Sequence, residues 1–156
     1  MNTVKLNVSG LKALQEQTVL LTKHHAEVGL FEDTASRSAD PGRIDNNPSL
    51  GFVHEFGYMK KKIPERSFLL MPLSLHLAPQ LASFAGDWFT KNITGSAKRM
   101  VKLLGVLGEA TVQEAFATGG FGGWPELKAR TVQRKGSSAI LIESAQMRKA
   151  ISSRVV

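Results

Sequence analysis

His54-Glu55 is the pair in this sequence most like catalytic equipment, because a histidine followed by glutamate opens the helical motif in which zinc proteases hold their metal and base. That motif needs a second histidine one helical turn later, and position 58 is Tyr. No metal site is expected there. His24 and His25 are neighbours in sequence, and adjacent helical positions point to different faces, so they read as surface histidines. Gly119 to Gly123 is glycine-rich, yet no Lys-Ser/Thr follows it and a long helix precedes it, so it reads as a flexible connection and not a phosphate loop. Cysteine is absent, which excludes disulfides, thiolate ligands and a cysteine nucleophile. Ser, His and Asp are too scattered to nominate a triad. The reading therefore assigns no catalytic, cofactor-binding or metal-binding residue.

Two groups of polar residues remain. Glu55 and Arg66 sit among apolar residues at the edges of adjoining segments, and a guanidinium forked onto a carboxylate would brace the loop between them. They are read as a structural pair, since no nucleophile, base or metal ligand accompanies them. Trp124, followed by Pro125, either offers a stacking face to a base or anchors a loop into the core or an interface. Lys128, Arg130, Arg134 and Lys135 crowd around it, and Lys60, Lys61 and Lys62 form a second basic cluster. These eight residues are the candidate interface, for nucleic acid or for a partner protein.

The charge distribution points the same way. The net charge is +7, with nine basic and nine acidic residues before position 91 and eleven against four from position 91 onward. All of the excess lies in the C-terminal part, where it fits an acidic partner, DNA or a solvated face. No apolar run approaches the roughly 20 residues needed to cross a bilayer. The first residues lack the basic segment and continuous apolar stretch of a secretion signal and are expected to remain in the mature chain.

The elements that must position these residues follow from periodicity and punctuation. Val4, Leu6 and Val8 alternate as a short strand, and Ser9 caps a helix over Gly10 to His25, in which Leu11, Leu14, Thr18 and Leu21 line up. Glu27 to Glu32 is expected as a strand, and Asp33 to Asn46 as a long polar loop. Asn47 is expected to cap a short helix with Pro48 in its first turn and Gly57 after its last, turning Leu50, Val53 and Phe56 inward. Pro72 and Pro79 read as breakers that separate a helical turn from a helix beginning near Pro79, with Leu81, Phe84, Ala85, Trp88 and Phe89 facing the core.

The longest helix runs from a cap at Ser96 to Thr118, its inner stripe set by Met100, Leu103, Leu104, Leu107, Thr111 and Ala115. Ala129 to Lys135 and Ser144 to Ile151 are expected as short helices, with Ile140 to Ile142 a brief apolar segment between them and a terminal strand at Val155-Val156. The expected fold is α+β: a small sheet packed by several helices, one of them long, in a single domain over residues 1–156 with extended loops.

Two of these segments carry a resemblance. His54-Glu-Phe-Gly57 followed by Ile63-Pro-Glu-Arg-Ser-Phe-Leu69, and Trp124-Pro with Leu127, Thr131 and Lys135-Gly leading to Leu141 through Ile151, resemble the tail-completion and virion-morphogenesis proteins of tailed bacteriophages. That group includes lambda-type minor tail protein Z and Mu-type morphogenesis protein G. The match runs from about Val28 to the C-terminus and departs at Ser144 to Met147, where the family commonly has Thr-Gly-x-Leu.

The resemblance implies a structural subunit at the head–tail junction or upper tail that completes the tail and supports its attachment to the head. It further implies synthesis in the host bacterial cytoplasm, residence in the virion, and no enzyme activity, cofactor or membrane. Copies would close into a ring, six-fold in the expected form, among neighbouring neck and tail proteins such as the tail terminator and head-completion protein. The basic C-terminal part would meet acidic neighbours or DNA in the channel. The alternative reading is a small basic DNA-binding protein, whose association would weaken steeply with salt.

Overall fold

A computed structural model describes residues 9–33, 46–91, 97–141 and 146–156. The expected strand at Val4 to Val8, the interior of the long loop, the cap at Ser96 and the start of the helix at Ser144 lie outside the described residues, as do the side chains of Leu11 and Phe89. The order is α1 (Ser9–Lys23), β1 (Ala26–Leu30), α2 (Asn47–Phe56), a 3-10 turn (Met59–Lys61), a π-helical segment (Pro72–Leu77) continuous with α3 (Ala78–Lys91), α4 (Ala97–Thr118), α5 (Ala129–Lys135), α6 (Gln146–Lys149) and β2 (Ile151–Val155). The class is α+β, with a two-stranded antiparallel sheet in which Ala26 pairs with Val155, Val28 with Ser153 and Leu30 with Ile151. Backbone bonds between His25 and Val156, both 2.9 Å, extend the ladder by one pair.

A ribbon of two strands is marginal by itself and needs a surface to bury its apolar face. That surface is α4. Its buried residues are Ala97, Met100, Val101, Gly105, Gly108, Val112, Ala115 and Phe116, a stripe at helical spacing whose centre is glycine. Of the six stripe residues expected from helical spacing, Met100 and Ala115 are buried, while Leu103, Leu104, Leu107 and Thr111 are half-buried at its margin. Glycine inside a helix costs about 1 kcal/mol relative to Ala. Close approach offsets that cost here: a Cβ on Gly105 would stand 2.9 Å from the Ser153 hydroxyl, and one on Gly108 would stand 2.7 Å from Val28 Cγ2. Gly108→Val is therefore expected to destabilise the protein by about 3 kcal/mol, through overpacking against β1, measured as a shifted urea midpoint at unchanged m-value. A loss under about 1 kcal/mol would mean that the helix–sheet seam yields easily.

On the opposite face of the ribbon, Arg154 donates to Glu27 across the strands at 2.8 Å and lies 4.0 Å from the centre of the Phe31 ring. The hydrogen bond from Arg154 holds the half-buried Glu27 carboxyl below its ordinary pKa.

α3 starts at Ala78, beside the expected start near Pro79, but the prolines do not interrupt the helix that leads into it. Pro72 opens the π-helical turn and Pro79 lies in the first turn of α3, with Ala78 N–H donating to Leu73 O across the wider ring. A π turn sets carbonyls apart from the following residues, so the Pro79 ring is taken in without ending the helix. The Gln80 side chain donates to His76 O at 2.8 Å. Leu81, Phe84, Ala85 and Trp88 are half-buried.

Other boundaries shift for local reasons. α1 stops at Lys23, so His24 and His25 follow the helix and His25 already belongs to the ladder. α2 is capped by Asn46, whose side chain accepts from Ser49 N at 2.7 Å, and not by Asn47, which is the first helical residue and is fully buried. α6 ends at Lys149, short of the expected Ile151, because Ile151 is drawn into β2, where it pairs with Leu30. Phe68, Val112, Ala115, Phe116, Trp124, Met147 and Ile151 form one buried cluster.

Candidate functional site

Both segments singled out in the sequence meet at one place. Glu55 is buried on the last turn of α2, at 6% exposure, and its two carboxylate oxygens accept from four donors. Oε1 takes Ser67 Oγ at 2.6 Å and Leu70 N at 2.8 Å, while Oε2 takes Phe68 N at 2.8 Å and Leu69 N at 3.0 Å. Ser67 Oγ in turn accepts from Met71 N at 2.9 Å. These amides open the helix that runs into α3, where the first N–H groups have no intrahelical partner and the helix dipole favours a negative charge. Glu55 is thus a cap supplied from another helix. Its lone pairs are committed to donors.

Arg66 is as buried, at 5% exposure, and does not pair with Glu55. Its Nε and Nη2 donate to Pro125 O at 3.1 and 2.8 Å, and Nη2 also reaches Glu126 O at 3.3 Å. The expected ion pair is replaced by two separate tasks, because backbone groups compete for both side chains: orphaned amides claim the acid and turn carbonyls claim the base. Burial pushes the Arg66 guanidinium below its ordinary pKa, through desolvation of the charge. Arg66 N donates to His54 O at 2.8 Å, which fastens the segment to α2 as well.

Trp124 closes the join from the other side. Its Nε1 donates to Ser67 O at 3.0 Å, and its ring stands edge-on to Phe116 at 5.6 Å between centroids, with Phe116 in turn 5.4 Å from Phe68. The ring lies on the backbone of Gly120, where a Cβ would be 2.3 Å away and where φ is +71°. At 8% exposure Trp124 is an anchor in the core, so it is corrected here from an interface residue and offers no face for stacking.

The basic candidates separate. Lys60, Lys61 and Lys62 are all exposed on the 3-10 turn, which Tyr58 and Ile63 close through backbone bonds of 2.9 and 3.1 Å. Lys128, Arg130 and Arg134 are exposed on and beside α5, whereas Lys135 turns back and donates to Ala139 O. The groove that Glu55 lines includes no residue of the lysine turn or of α5. Among the described residues, no group of three His, Asp or Glu side chains is placed to hold a metal ion.

What sequence reasoning missed is the surface beside the join. α2 turns Asn47, Gly51 and Glu55 inward and leaves Phe52 66% exposed and Phe56 58% exposed, the reverse of the inward Phe56 that apolar spacing suggested. Gly51 faces Leu30 and Phe68 so closely that a Cβ there would be 2.5 Å from Leu30 Cδ1. The two Phe rings contact each other at 4.9 Å and line a groove of about 640 Å³ with Leu30, Leu70 and Leu73. Leu70, Leu75 and Met59, the last 93% exposed, continue the run of uncovered apolar side chains along residues 52–75. A signal was present in the sequence: Gly51 and Glu55 four apart on one face of a ten-residue helix leave only the other face for both Phe residues. No protein-family model, curated protein or solved structure matches the chain.

Proposed function

We propose that this protein is a non-enzymatic structural subunit of a tailed-phage particle, acting at the head–tail junction or upper tail to complete the tail and support its attachment to the head. The observation that carries this reading is α2, whose Glu55 is turned inward to hold the 67–70 part of the first resembling segment while Phe52 and Phe56 are left outside. Contiguous uncovered aromatic and aliphatic residues mark protein–protein contact surfaces. Residues in both segments have architectural partners: Glu55 caps a helix, Arg66 holds two carbonyls, and Trp124 is bonded to the Ser67 carbonyl. In this reading the groove face is covered by neighbouring subunits of a closed ring, six-fold as the resemblance implies, which stands among the other neck and tail proteins.

Phage that lack the protein are expected to yield DNA-filled heads and tails that fail to stay joined, seen by electron microscopy of purified particles. Normal virions with tails firmly attached would show the reading to be wrong. At the level of the subunit, Phe52→Asp combined with Leu70→Asp is expected to convert a sedimenting oligomer into monomer. Both side chains are exposed, so thermal melting of the separated subunit should change little.

A further inference from the structure

The surface chemistry of this protein is divided. Uncovered large apolar residues concentrate along residues 52–75, whereas none occurs among the described residues from 107 to 155. In that second stretch Arg130 and Arg134 on α5 and Lys128 just before it are all exposed and none is ion-paired. Arg130 and Arg134 are four residues apart on a helix, so they share a face with about 5–6 Å between their Cβ atoms. Gln133 and Ser138, also exposed, add neutral hydrogen-bonding groups, and Glu126 is the one acid between positions 119 and 141.

Cations with neutral hydrogen-bonding groups and no apolar centre are the composition of a phosphate-contacting surface, since protein–protein contacts draw their energy from a desolvated aromatic or aliphatic core. The mount is rigid enough to present it. Arg66 clamps the carbonyls of Pro125 and Glu126 immediately before α5, and Gly136 closes the helix with its N–H on Val132 O at 2.8 Å. We infer that the Arg130–Arg134 face of α5, with Lys128 beside its start, binds the phosphate backbone of nucleic acid, without reading base sequence. This inference stands on the composition of that face and does not require the phage reading.

The test is fluorescence anisotropy with labelled duplex DNA of random sequence, for the full chain at several salt concentrations between about 50 and about 200 mM. Three phosphate contacts give a slope of log K against log salt near −2.7, or about a 40-fold loss over that range. Arg130→Glu with Arg134→Glu is expected to flatten the slope by about two and to weaken binding on the order of tenfold or more. Lys60→Glu with Lys61→Glu changes the net charge by the same amount at the other basic cluster and is expected to leave the slope nearly intact. The charge-keeping pair Arg130→Lys with Arg134→Lys is expected to retain it. Equal losses in both Glu variants would reduce the effect to net charge and overturn the assignment. So would loss of the slope in the Lys variant, or the absence of salt-dependent binding by the unaltered protein.

Discussion

Glu55→Gln is expected to destabilise the protein by about 3 kcal/mol and to lower its melting temperature by about 9 °C. Gln keeps the volume of Glu but replaces one acceptor oxygen with a donor, and both oxygens are in use. In the least damaging orientation the amide nitrogen takes the Oε1 position, where the Ser67 hydroxyl can rotate to accept, and Leu70 N is then left facing a donor. The bonds that survive change from charge-assisted to neutral, at roughly half the strength. Glu55→Leu orphans all four donors at once and should cost about 5 kcal/mol, a large part of the ~5–15 kcal/mol that stabilises a domain. Chemical denaturation at neutral pH measures both. If Gln were tolerated with a loss below about 0.5 kcal/mol, the remote cap would be contributing little and the account of the join would need another centre.

Trp124→Ala is expected to cost about 4 kcal/mol, from lost burial and the cavity left beside Phe116 and Phe68. It also leaves the Ser67 carbonyl without the indole donor. Trp124→Phe separates the two contributions: most of the apolar contact is kept and the hydrogen bond is not, so a loss of about 1 kcal/mol is expected. Gly120→Ala should resemble Trp124→Ala more than an ordinary loop substitution, because the new methyl would occupy the position of the indole ring. Should Trp124→Ala melt with the unaltered protein, the ring would not be the anchor of the 119–125 turn. A correlated loss of particle assembly across Glu55, Gly120 and Trp124 variants, proportional to their loss of stability, is what an architectural role predicts.

Much of the local structure was legible in residue spacing. The range of α5, the end of α4 at Thr118 and the strand at Val28 follow from caps, glycines and alternation, all of which act over a few residues. The two misread helix faces share one cause. Apolar periodicity identifies a face from its large side chains, yet α4 seats its glycines against the ribbon and α2 seats a glycine and a glutamate against the core. Where two backbones must come close, or a buried carboxylate must serve another helix, the inner face is marked by small or charged residues and the apolar signal is displaced to the margin or the outside.

The candidate site divides in the same way. Composition and order of the residues singled out Glu55, Arg66 and Trp124 as unusual, and determined that C-terminal cations exceed acids. Only the tertiary structure decided what each contacts, because nearly all of their partners are backbone groups 13 to 60 residues away, alike along the chain until folding brings particular ones near. A side chain's charge is written in the sequence. Which amide or carbonyl is left unpaired, and so claims that charge, depends on where helices begin and turns close in space.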